Sequence, residues 1–146
     1  MFKSILIPTD GSELSQRAVK MAMDLARLHQ ARVTAIHVIP DYHLLIAYEG
    51  AFDPVTEERI EEEAKTRAES YLAYVRKCAQ DAGVPCDTVC ETSDHPYDSI
   101  IKVADTRRCD LIVMTSHGRK GLAAVLLGSE TRKVLTHARI PVLVVR

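Results

Sequence analysis

Four short runs with little charge limit what this chain can fold into: residues 4–8 (SILIP), 32–39 (RVTAIHVI), 109–114 (CDLIVM) and 141–145 (PVLVV). Each is long enough for a strand and too short for a buried helix. Between them, apolar residues recur at three- and four-residue steps. Leu14, Ala18, Met21, Ala22, Leu25 and Leu28 mark one face of a helix that Ser12 can cap and that ends near His29. Ile60, Ala64, Ala68, Tyr71, Leu72, Val75, Cys78 and Ala79 mark a longer helix, with Gly83 as its stop. Tyr97, Ile100, Ile101 and Ala104 mark a third, and residues 129–138 a fourth. Residues 85–92 alternate in polarity and suit an exposed edge strand, while 41–54 fit no period and read as a mobile loop or irregular turns. Five strands alternating with four helices predict an open parallel α/β sheet covered on both faces. No linker or repeat divides it, so residues 1–146 read as one domain.

Composition removes several classes of function. Of 146 residues, 19 are basic and 20 acidic, which leaves no electrostatic footprint for nucleic acid or an anionic membrane. No apolar run approaches the ~18 residues of a membrane span, and the N-terminus lacks a signal-peptide pattern; a cytoplasmic protein is expected. Cys78, Cys86, Cys90 and Cys109 contain no C-x-x-C pair and read as reduced, small apolar residues. Glu57, Glu58, Glu61, Glu62 and Glu63 complement the dipole at a helix start and read as a solvated face, not a metal site.

In open α/β sheets the ligand crevice lies beyond the carboxyl ends of the strands, where strand order reverses. Residues 111–129 (LIVMTSHGRKGLAAVLLGS) supply what such a crevice needs for an anion: a strand, a loop with Gly118, Gly121 and Gly128, and a helix N-terminus. If the order reverses between the first and fourth strands, Asp10 faces that loop. There is no G-x-x-x-x-G-K-[ST] and no G-x-G-x-x-G. A phosphoacceptor domain would need further acidic groups beside Asp10 and a lysine leaving the last strand.

The combination ILIPTDGS near the N-terminus, LIVM-x-SHG-x9-GS further on and the terminal IPVLVVR resembles the universal stress protein family over essentially the whole chain. The resemblance implies a five-stranded sheet in the order 3-2-1-4-5, a homodimer and, in one branch, bound ATP. That branch carries G-x2-G-x9-G-[ST], which falls here on Thr115, Gly118, Gly128 and Ser129, so that the first glycine is a threonine and Gly121 lies outside the pattern. Carried over by position, Pro8, Thr9 and Asp10 would contact the nucleoside, with Asp10 near the ribose or a magnesium ion held by the nucleotide. Val38 would lie against the adenine, and Met114 and Thr115 would border sugar and base. Gly118, Gly128, Ser129, Glu130 and Thr131 would hold the phosphates.

Each residue also has an ordinary reading. Asp10 or Ser129 can serve as a helix cap, His37 as a packed and hydrogen-bonded core residue, and His117, Arg119 and Lys120 as loop residues. No nucleophile–base pair stands out, so at most slow hydrolysis is expected. In the implied order Pro141, Val142, Leu143, Val144 and Val145 form an uncharged edge, which pairing with a second copy would cover. Two alternatives to a nucleotide-binding regulatory protein are a nucleotide-free dimeric scaffold and an adenylyl-transferring enzyme. The latter lacks an S-G-G-x-D-S-type loop after the first strand.

Overall fold

Strand β1 (Ser4–Pro8) lies at the centre of a parallel sheet of order β3-β2-β1-β4-β5. Its neighbours are β2 (Arg32–Ile39) and β4 (Leu111–Thr115), and β3 (Cys86–Thr92) and β5 (Val142–Val145) form the edges. The computed structural model describes residues 1–41, 53–118 and 127–146. Most of the loop expected over 41–54 lies outside these residues, as do Arg119, Lys120 and Gly121.

Alternation along the strands sorts the core into two layers. Ile5 and Ile7 point to one face, where they meet Val19, Ala22 and Ala26 of α1 (Glu13–His29) and Leu72, Val75 and Ala79 of α2 (Pro54–Ala82). Leu6, Ile36, Ile112 and Met114 point to the other, against Ile100 and Val103 of α3 (Pro96–Thr106) and Val134 of α4 (Ser129–His137). Both faces are therefore dry, which is why the strands carry so little charge.

The helices begin where local chemistry directs. Ser12 caps α1 by accepting from the Ser15 N–H at 3.2 Å. Asp53 caps α2 by accepting from Thr56 at 2.8 Å, and Pro54 is the first helical residue rather than the end of a loop. That N–H bond also holds the Asp53 carboxyl below its ordinary value. On α2 the acidic start is solvent-facing, with Arg59 paired to Glu63. Among the described residues no group of three or more His, Cys, Asp or Glu could hold a metal ion.

Three strands start later than the sequence suggests. Pro85 stays outside β3 and its carbonyl accepts from Val33 at 2.8 Å. The Asp110 carboxylate accepts from the N–H groups of Lys3 and Ser4, tying the start of β1 to that of β4. Pro141 precedes β5 instead of belonging to it. At the other end, β4 extends one residue further, with Thr115 in register with Val145. The four cysteines are free thiols; Cys109 is buried in the core, where desolvation raises its thiol pKa, as an apolar packing role requires, whereas Cys90 is exposed on the edge strand.

Candidate functional site

Because β1 connects outward to β2 on one side and pairs with β4 on the other, the chain after each of these strands emerges at the same sheet edge. A cavity of about 800 Å3 opens there, within the size range of small-molecule sites. Pro8, Thr9, Asp10, Val38, Met114, Thr115, Gly118, Gly128, Ser129, Glu130 and Thr131 all line it. The topology thus brings together every binding residue singled out from the sequence.

Asp10 and Gly118 do face each other. A Cβ placed on Gly118 would fall 2.7 Å from Asp10 Oδ2, so glycine lets this backbone approach the carboxylate without displacing it. The other carboxylate oxygen accepts from the Ser12 N–H at 3.0 Å. Asp10 therefore shapes the turn leading into α1, while Ser12 does the capping.

Gly128 is tied to the end of β4, its N–H donating to the Ser116 carbonyl at 2.7 Å. A side chain there would crowd His117 Cα at 3.2 Å and the Ser116 oxygen at 3.3 Å. Gly128, not Ser129, is the N-cap of α4, and it offers no side chain to the helix. The N–H groups of Ser129, Glu130 and Thr131 consequently have no intrahelical acceptor, and they carry the positive end of the helix dipole. Thr131 is buried, and its hydroxyl donates to the Thr115 carbonyl at 2.8 Å, so its hydroxyl proton is engaged in bracing β4 against α4. Thr115 itself sits in extended strand backbone, where a β-branched residue is at ease. Glycine's conformational freedom is not needed at that position.

Two walls complete the cavity, and the sequence had not singled out either. On the α1–α2 face stand Ala64, Arg67 and Tyr71 of α2. The Tyr71 ring meets His37 edge to face at 5.2 Å, and His37 donates its Nδ1–H to the Thr9 carbonyl at 2.7 Å. His37 is therefore both a packed, hydrogen-bonded residue and part of the lining. The Thr9 hydroxyl is turned inward to Ser15, 2.7 Å away, so Thr9 faces the cavity with its backbone. On the opposite face stand Pro96 and Ile100 of α3. The only early signals for these walls were the Arg67–Tyr71 spacing of four on one helix face and Pro96 at a helix start.

The chemistry of the lining suits an anionic ligand with an apolar part. Donor N–H groups gather at α4, a carboxylate at β1 can accept from hydroxyls, and Val38, Met114 and Ile100 offer an apolar wall. His117 pairs only with the neighbouring Ser116 hydroxyl, 3.0 Å away, among the described residues. No general base poised over a nucleophile is evident there.

A family model described as the universal stress protein family matches residues 1–146. The chain is similar to universal stress protein MJ0531 of Methanocaldococcus jannaschii, at 36% identity over 147 residues, covering 100% of this chain and 83% of that protein. The solved structure of MJ0577, from the same organism, matches with a TM-score of 0.79 at 33% identity, covering 99% of this chain and 96% of that one. A universal stress protein of Archaeoglobus fulgidus solved in complex with dAMP shares the fold, with a TM-score of 0.72 at 20% identity and coverage of 99% and 98%. Others of this fold have been solved with cAMP and with AMP.

Proposed function

This chain belongs to the universal stress protein family, and from that premise we propose that its cavity binds an adenine nucleotide. The observation that carries the reading is the convergence of Asp10 with Gly118, Gly128 and the start of α4, which lacks a side-chain cap. In this reading the phosphates accept from the backbone N–H of Gly118 and from those of Ser129, Glu130 and Thr131, while Gly128, its own N–H held by Ser116, leaves room for their approach. The ribose hydroxyls donate to Asp10, and the base lies against Val38 and Met114. The resident ligand is ATP, and a magnesium ion held by its phosphates would lie on the Asp10 side and offset their charge. Among the described lining residues no base stands poised for rapid hydrolysis, and in this reading the protein acts as a nucleotide-holding regulatory module of the stress response. Its free thiols suit a reducing cytoplasm, and no helix among the described residues is long and apolar enough to cross a membrane.

The direct test is to denature the purified protein and identify the released small molecules by mass spectrometry. Recovery of an adenine nucleotide in stoichiometric amount is expected. Protein that is consistently empty and binds no nucleotide by calorimetry would instead favour a nucleotide-free dimeric scaffold.

The same reading includes a homodimer through β5. This strand pairs with β4 on one side only, and Val142, Leu143 and Val144 remain partly or well exposed along it. An uncharged edge of this kind is a template for pairing with a second copy. Val142→Glu or Val144→Glu is expected to yield a monomer or an aggregate in sedimentation. Unchanged dimers for both variants would remove the β5 interface.

A further inference from the structure

Glu130 occupies a position that the phosphate reading alone does not explain. It is the second residue of α4, its N–H is one of the helix-start donors, and it lines the cavity beside Gly128 and Ser129. Its carboxylate therefore lies at the end of the cavity that attracts anions, where it is of the wrong sign to help one. It is also held in place. Helix α3 starts at Pro96, which has no N–H, and its N-cap, His95, makes no side-chain capping bond. The Tyr97 N–H would be an unpaired helix-start donor, and Glu130 Oε2 accepts from it at 2.9 Å. Oε1 accepts from Lys133 Nζ at 3.1 Å, one turn further along α4. The carboxylate cannot swing away from an incoming phosphate without abandoning the start of α3.

We propose that Glu130 sets how much phosphate charge the cavity accepts, favouring adenosine monophosphate over metal-free adenosine triphosphate. The proposal rests on the nucleotide reading above and refines it: a triphosphate enters with its charge offset, and a monophosphate needs no such help. The physical basis is like-charge repulsion at a fixed distance, partly cancelled by Lys133 and screened because the Glu130 side chain is 35% exposed. Each added phosphate charge strengthens the repulsion, whereas the base and ribose contacts are the same for both ligands.

The test uses calorimetry with AMP and with ATP, both in buffer containing a chelator, on the full chain. Glu130→Gln keeps an oxygen to accept from Tyr97 while removing the charge and, with it, the ion pair to Lys133. It should tighten ATP binding about three- to fivefold and alter AMP binding less than about twofold. Lys133→Met should act in the opposite direction, weakening ATP relative to AMP by a similar factor. Both differences should shrink as ionic strength rises. If ATP and AMP shift together in Glu130→Gln, or neither shifts while both still bind, Glu130 does not select charge. If the wild-type chain binds neither nucleotide, the underlying nucleotide reading falls, and the charge filter with it.

Discussion

Replacing Gly11 by alanine is expected to cost the fold about 2–4 kcal/mol, the sum of a left-handed backbone penalty and a forced overpacking. Gly11 has φ +73°, and a Cβ there would lie 2.2 Å from the Tyr71 ring. The ring cannot yield cheaply, since it packs edge to face on His37, and His37 is bonded to the Thr9 carbonyl. Gly83 supplies the internal control. It has φ +66° at the end of α2, and nothing lies within 4 Å of its would-be Cβ. Gly83→Ala should therefore show the backbone penalty alone, about 1 kcal/mol. Urea denaturation of both variants and of Gly11→Ala/Tyr71→Ala separates the two contributions. The double substitution leaves the cavity of a lost ring, yet the added cost of the Gly11 change should fall to that seen at Gly83. Equal costs for Gly11→Ala and Gly83→Ala in the wild-type background would show that Tyr71 is not a rigid wall. Because Gly11 adjoins Asp10 and Tyr71 lines the cavity, nucleotide affinity should fall in Gly11→Ala as well.

This contact also marks where reading along the chain stops. The turn Thr9-Asp10-Gly11-Ser12 is legible locally, because its residue types are those of turns and caps. The helix carrying Tyr71 is legible too, from its apolar period. That a ring sixty positions later lies over Gly11 depends on how far α2 extends past the end of β1 and β2, and periodicity gives a helix's buried face without its offset along the sheet. Arg67 escaped notice for the same reason. Asp10 and Gly118 were different: parallel strands all present their carboxyl ends at one edge, so adjacency of β1 and β4 was enough to set them face to face. Side-chain bonds between elements were the least legible. The Thr131 hydroxyl engages Thr115, and the Glu130 carboxylate stands in for a missing cap on α3; the family resemblance, carried over by position, implied only phosphate contacts for both. The Asp110 carboxylate, which accepts from the N–H groups of Lys3 and Ser4, is a further bond between elements that residue type did not announce.

Substitutions at Gly118 and Gly128 should separate binding from stability. At Gly118 the atom an added Cβ would strike is Asp10 Oδ2, at the far end of a side chain. The carboxylate can rotate aside, so Gly118→Ala should change stability by less than about 1 kcal/mol. The rotation removes Asp10 from the ribose and puts a methyl group where a phosphate must approach the backbone. Losing two charge-assisted hydrogen bonds at about 1.5 kcal/mol each corresponds to a loss of affinity on the order of 100-fold. At Gly128 the crowded atoms are backbone, His117 Cα at 3.2 Å and the Ser116 oxygen at 3.3 Å. There the backbone itself must shift, so Gly128→Ala should cost about 1–2 kcal/mol as well as affinity. Chemical denaturation and calorimetry with ATP and magnesium, run on each variant, would reveal the split. Gly118→Val/Gly128→Val should be purified without nucleotide. Retention of wild-type affinity in Gly118→Ala would mean that the nucleotide does not approach this backbone, and the crevice beside Asp10 would have to be read as a site for some other ligand.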